Sequence, residues 1–181
     1  MVKPILMKGW CDSPLTKEGI QQIEKMTQLL KDEKITKAYT SPTPRAKQTA
    51  QIILKEHDVL LHEDERFKEV NFGVLEGLPC SFVDTLRLES TNWLEDLKLD
   101  YTSYQGENID DVIIRQQEVL KEIEKISNEE DCIVVVGHGC SLYALIKTLL
   151  KDEKLIFPEN ASAYIFYKKN NEYKLEKYLR P

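Results

Sequence analysis

The chain has 181 residues, enough for one domain with a real core, which excludes a disulfide-stapled miniprotein and a two-domain enzyme. Twenty-five Lys and Arg face thirty-one Asp and Glu, giving a net charge of −6 spread in both signs along the chain, which excludes a nucleic-acid footprint. The longest apolar run, Cys132 to Val136, is far shorter than the ~18–20 residues of a membrane span, and no charged-then-apolar leader opens the sequence.

In chain order, Lys3 to Met7 reads as a short strand, with Pro4 confined to its edge or start because it lacks an N–H. Thr16 is placed to cap a helix carrying Ile20, Ile23, Met26, Leu29 and Leu30 on its apolar side. Lys37 to Ser41 forms a strand that runs into Thr43-Pro44, a cap followed by a proline at the first helical position, and that helix reaches about Glu56. Val59 to Leu61 is a further short strand. Glu69 to Gly77 has no period and reads as a loop, and Leu78 to Tyr104 as one or two short helices. From Asn108 a longer helix carries Ile109, Val112, Ile113, Gln116, Val119, Leu120 and Ile123 in a stripe. Cys132 to Val136 is a continuous apolar run, the pattern of a strand covered on both faces. Gly137-His138-Gly139 follows, then a helix marked by Leu142, Leu145, Ile146 and Leu149. Ala161 to Lys168 and Tyr173 to Tyr178, split by Asn170-Asn171, complete the pattern as a hairpin. Alternating strands and helices predict one α/β domain over residues 1–181, with a small cap or insertion around 78–106.

Three constellations carry chemistry. His138 stands between two glycines where a strand gives way to a helix, the place where open α/β sheets gather ligands and where helix N–H groups face an anion. Arg45 falls in the first turn of a helix, against the dipole, so its guanidinium fork is suited to an anionic partner such as a phosphate. Phe67 to Gly77 places Glu69 and Glu76 in a glycine-punctuated loop, where a carboxyl of raised pKa could protonate a leaving oxygen. Each residue also has a plainer use: a histidine bonded at a strand end, a solvated arginine, a solvated loop carboxylate.

The ordered set Asp12-Ser-Pro-Leu-Thr16, Ser41-Pro-x-x-Arg45-Ala-x-Gln-Thr-Ala50, Phe67-x-Glu69-x-x-Phe72-Gly73-x-x-Glu76-Gly77, Gly106-Glu107, Val136-Gly-His138-Gly139 and Asn160-Ala-Ser162 resembles the histidine phosphatase superfamily, in its phosphoglycerate-mutase-like, cofactor-independent phosphatase branch. The resemblance implies a three-layer α/β/α sandwich with a mostly parallel central sheet. It also implies metal-free phosphomonoester hydrolysis through a phosphohistidine, with no cofactor and a small phosphorylated molecule as partner. Carried over by motif, Arg45, His138 and Gly139 would bind the phosphoryl oxygens. His138 would stabilise the transition state, and Glu69 would act as general acid and then base.

The chain departs from that family at one place. The family opens with a strand ending in Arg-His-Gly, which supplies the nucleophilic histidine. Here Pro4-Ile-Leu-Met7 resembles the end of that strand, yet Lys8-Gly9-Trp10-Cys11-Asp12 already resembles the end of the following loop. The remaining histidines, His57 and His62, fall at a helix end and beside an edge strand. Loss of a covalent nucleophile costs on the order of 10⁶ in turnover, so hydrolysis is expected to be impaired. The alternatives are a pseudoenzyme that binds a phosphorylated ligand or a protein, and a phosphoglycerate mutase. Acidic Asp84, Glu89, Glu95, Asp96 and Asp100 against Arg87 and Lys98 disfavour the mutase, because they repel a second anionic group. A nucleotide site after Val136 lacks the third glycine of a dinucleotide fingerprint, and Ser141 lacks the frame of an esterase nucleophile. Cys11, Cys80, Cys132 and Cys140 have neither paired nor metal spacing and read as reduced thiols. The expected protein is cytoplasmic, a monomer or homodimer, with no membrane, metal or nucleic-acid partner.

Overall fold

The computed structural model describes residues 4–86, 93–150 and 155–181; Arg87 and Glu89 lie outside this set, as do the side chains of Trp93 and Leu94. The first helix, α1 (Lys17–Leu30), starts where Thr16 Oγ1 accepts from Gly19 N at 3.0 Å, as the sequence predicts, with Ile23, Met26 and Leu30 buried. Strand β1 (Ile35–Thr40) begins two residues before the expected point and leads through Thr43 into α2 (Pro44–Ile53), which a single 3₁₀ turn extends to Glu56. Strand β2 (Leu61–Glu63) lies slightly later than its apolar signal. The loop from Glu69 holds a 3₁₀ turn at Gly73–Leu75. Gly73 itself has φ +57°, and a Cβ there would stand 1.9 Å from the Tyr104 carbonyl, so this turn admits only glycine.

Among its described residues the 78–106 interval contributes only single turns, α3 (Cys80–Val83) and α4 (Trp93–Asp96) with 3₁₀ turns at Asp84–Leu86 and Thr102–Tyr104. Helix α5 (Ile109–Lys125) is capped by Asn108, whose Oδ1 accepts from Asp111 N at 2.9 Å, and carries acidic residues in its first turn and Lys125 in its last, all favourable to the dipole. Strand β3 (Cys132–Val136), helix α6 (Gly139–Leu149) and the hairpin β4 (Ala163–Lys169) and β5 (Glu172–Leu179) follow as the pattern indicates.

The sheet is parallel, in the order β2-β1-β3, with Thr40 opposite both Glu63 and Val136. Period-two alternation sends Ala38, Val134 and Val136 to a cluster with Ile23, Met26, Ala46 and Ala50 of α1 and α2, while Tyr39, Ile133 and Val135 meet Val119 and Ile123 of α5. Helices therefore cover both faces, the expected three layers. A third cluster joins Val70, Phe72, Leu99, Tyr101, Val112 and Ala144 beneath the 69–77 loop. Among the described residues no helix is long and apolar enough to cross a membrane.

One expectation needs correction. The described part of the expected Lys3–Met7 strand, Pro4–Met7, does not pair in the sheet but runs along Gly77–Cys80, with Met7 N to Leu78 O at 2.9 Å, Gly77 N to Met7 O at 2.9 Å and Cys80 N to Ile5 O at 2.8 Å. The tight link from Met7 to the anchored Trp10 segment keeps it there. Strand β3 meets an apolar cluster on each face, as its continuous apolar run predicts, although four of its five residues keep partial exposure; among the described residues it pairs with β1.

Candidate functional site

The loops after β1 and β3 end side by side, because these strands are parallel neighbours and Ser41 N donates to Val136 O at 2.9 Å. This register brings Ser41, Thr43 and His138 together. His138 is the N-cap residue of α6 and is 9% exposed, with Nε2 3.0 Å from Ser41 Oγ and 3.1 Å from Thr43 Oγ1. Burial, reinforced by the positive charges of Arg45 and Arg115, pushes its pKa down to about 3. At neutral pH the ring is uncharged and has one N–H to give.

Glu69 fills the other side of the α6 N-terminus. Its carboxyl is buried and accepts from Cys140 N at 3.0 Å, Ser141 N at 2.8 Å and its neighbour Val70 N at 2.9 Å. The Cys140 and Ser141 N–H groups are the free donors of a helix start, the groups the sequence offers to an external anion through Gly139. Burial nevertheless drives the Glu69 pKa up, against the pull of those three N–H groups. A carboxyl whose pKa is raised holds its proton more readily than an ordinary glutamate, which suits it to proton donation.

Arg45 sits in the first turn of α2, two residues past the hydroxyl of Thr43 that contacts His138. Its guanidinium is spent on the 8–13 loop, donating to Gly9 O at 2.6 Å, Cys11 O at 3.0 Å, Lys8 O at 3.1 Å and Ser13 Oγ at 3.4 Å. The same loop is held from the far side by Glu76, which accepts from Trp10 N at 2.7 Å, Gly9 N at 3.0 Å and Cys11 N at 3.3 Å. Trp10 Nε1 also donates to Glu69 O at 2.9 Å. Gly9 is obligatory here, since a Cβ would stand 2.3 Å from both Glu76 Oε1 and Val70 O. Lys8 to Ser13 thus closes over Arg45 and straps it to the Glu69 segment.

All four residues singled out for this chemistry, Arg45, Glu69, His138 and Gly139, gather at the ends of β1 and β3. Sequence reasoning missed Arg115. Its guanidinium, on α5, donates to the carbonyls of Arg66 at 2.5 Å, Glu69 at 2.8 Å and Lys68 at 2.9 Å, and to Glu107 Oε1 at 3.0 Å and Oε2 at 3.1 Å. Glu107 in turn accepts from Asn71 N at 2.9 Å, so this pair fixes the backbone on which Glu69 stands. The signal was an arginine flanking the buried stripe of α5, with an acid one residue before the cap. His57 and His62 lie elsewhere, at the end of the turn after α2 and stacked on Tyr39 with ring centroids 5.5 Å apart. The four cysteines form no disulfide, and among the described residues no group of three or more His, Cys, Asp and Glu is arranged to hold a metal.

Residues 2–179 match the family model described as histidine phosphatase superfamily, branch 1. A protein of Photorhabdus laumondii named probable phosphoglycerate mutase GpmB is 31% identical over 148 residues, covering 80% of this chain and 66% of that protein. Its namesake in Yersinia pestis is 30% identical over 147 residues with the same coverage, so the chain spans just under two thirds of these relatives. Among solved structures, a phosphoglycerate mutase from Bacillus anthracis superposes with a TM-score of 0.81 at 25% identity, covering 94% of this chain and 84% of that one. A mycobacterial glucosyl-3-phosphoglycerate phosphatase with bound VO3 gives 0.83 at 24% identity, covering 94% and 89%, a likeness of fold.

Proposed function

Starting from the histidine phosphatase superfamily, to which this chain belongs, we propose that it binds phosphomonoesters between Arg45 and His138 and hydrolyses them at a strongly reduced rate. The observation that carries this reading is the convergence of a guanidinium, a neutral imidazole and a carboxyl of raised pKa at one pair of parallel strand ends. In this reading Arg45 turns its fork from the Lys8, Gly9 and Cys11 carbonyls to the phosphoryl oxygens, and the His138 N–H joins it. Glu69 delivers its proton to the departing alkoxide. Hydrolysis is slow because a phosphohistidine intermediate needs a second imidazole facing the same phosphorus, and His57 and His62 are built into other parts of the fold.

A mutase reading is favoured by the names of the relatives at 30–31% identity. It needs cations for a second anionic group, whereas the described part of the 78–106 interval carries Asp84, Glu95, Asp96 and Asp100 against Lys98. We therefore propose hydrolysis rather than transfer between two hydroxyls. The test is release of p-nitrophenol from p-nitrophenyl phosphate by this chain and by a variant with Arg-His-Gly inserted after Met7. Activity in the restored variant alone, lost again with Arg45→Ala, supports the reading. Steady turnover by the chain as it stands, abolished by His138→Gln, overturns the claim of a reduced rate.

A further inference from the structure

The donors around the Glu69 carboxyl leave one place open. An ionised carboxyl accepts at about four lone-pair sites, two on each oxygen. Oε1 accepts from Ser141 N at 2.8 Å and Val70 N at 2.9 Å, which fills both of its sites, whereas among the described residues Oε2 accepts from Cys140 N alone, at 3.0 Å. The proton that burial favours on this carboxyl therefore belongs on Oε2.

Ser141 brings a second group to the same place. It is fully buried in the first turn of α6, its own N–H holds Oε1, and its hydroxyl has no hydrogen-bond partner. A buried hydroxyl without a partner calls for a reason. Packing does not supply one, since Ala144, three residues on along the same face of α6, is equally buried with only a methyl. The reason lies in the carboxyl beside it, whose ionised form the Ser141 hydroxyl favours. The other groups that face Glu69 are engaged elsewhere. His138 of α6 is uncharged at neutral pH and bonded to Ser41 and Thr43, and the Trp10 indole of the 8–13 loop takes the Glu69 carbonyl. Arg115 of α5 is occupied by Glu107 and by the carbonyls of Arg66, Lys68 and Glu69.

Building on the acid role given to Glu69 above, we propose that Ser141 is a positioning residue for that carboxyl, its hydroxyl taking the place of the proton that Glu69 gives away. When the Oε2–H bond breaks, the proton goes to the departing alkoxide and the electron pair stays on Oε2. The Ser141 O–H then rotates to donate to that pair. Before release, three N–H groups and one proton fill the four sites; afterwards, three N–H groups and one hydroxyl fill them. The buried negative charge is thus fully hydrogen-bonded as soon as it forms, and Glu69 is a stronger acid than burial alone would make it.

The experiment is an NMR titration of the full chain labelled with ¹³C at the glutamate carboxyls, with the Glu69 signal identified by its loss in Glu69→Gln. Ser141→Ala removes the hydroxyl and leaves every N–H in place. The expected result is a rise of about one unit in the Glu69 pKa, a roughly tenfold weaker acid, for the loss of one charge-assisted hydrogen bond. Gln116→Met is the control. Gln116 lies on the adjoining helix α5, equally buried and with neither amide atom paired, and its replacement should leave Glu69 unmoved. An unchanged or lowered pKa in Ser141→Ala, or an equal rise in Gln116→Met, overturns the proposal. The titration needs no turnover, so the expected rise in a chain that releases no phosphate would overturn the hydrolytic reading and leave the placement of Ser141 standing.

Discussion

Lowering the pH from 7.5 to 5.0 should cost this fold about 2 kcal/mol through His138 alone. An imidazole ordinarily titrates near 6.5, and burial beside Arg45 and Arg115 holds this one at about 3. A histidine depressed by folding contributes stability that is complete above the ordinary value and is lost as pH falls toward the folded value. At pH 5 the unfolded chain binds nearly one proton here and the native chain almost none, and integrating that difference from pH 7.5 gives the ~2 kcal/mol. The assay is urea unfolding of the chain and of His138→Gln at both pH values, with the carboxylates common to both. The Gln variant should lose about 2 kcal/mol less on acidification. Identical losses in the two proteins would refute the reasoning, because His138 would then be as accessible to protons in the native state as in the unfolded one.

Glu69 should act with the opposite sign. Its pKa is raised by burial, so its contribution is complete below about 4.3, the ordinary glutamate value, and is lost as pH rises through the folded value; Glu69→Gln should flatten that fall in unfolding free energy. Gly9→Ala should expel the 8–13 loop from Glu76 and Val70, lower stability by about 1–3 kcal/mol and tighten orthovanadate binding severalfold by freeing Arg45, as read by calorimetric titration. Unchanged affinity would show that the loop does not compete with the anion. Arg115→Lys cannot serve three carbonyls and a carboxylate at once, and a loss of about 2–3 kcal/mol in thermal or urea unfolding is expected.

Local chemistry made most of the helical layers legible. Thr16 and Asn108 are caps whose side-chain acceptors can be named from sequence, and the stripe Val112, Gln116, Val119, Ile123 is the buried face of α5. The strand character of Cys132–Val136 was equally plain, but its exposure was not, since what covers a strand edge is decided by another part of the chain. Pro4–Met7 has strand-like composition and still lies off the sheet, because the adjoining Gly9–Cys11 backbone is bound by Glu76 more than sixty residues away. The same non-locality hid the occupants of the site. The position of Arg45 against a helix dipole predicts an anionic partner, and the backbone carbonyls of Lys8, Gly9 and Cys11 take its donors. Gly139 stands at a helix start that the sequence leaves open, whereas the Glu69 carboxyl reaches the next two N–H groups from another loop. Residue types announced the chemistry; pairing among them depended on register between β1 and β3, which no spacing in the sequence encodes.

The central claim is that Arg45 and His138 form one phosphoryl-binding site. Titration of the chain with inorganic orthovanadate, followed by NMR on the Arg45 Nε–H and the His138 ring protons, tests it most directly. The account predicts saturable binding that shifts both sets of signals with one affinity and vanishes in Arg45→Ala. Binding that leaves either residue unmoved, or that survives Arg45→Ala unchanged, would contradict it.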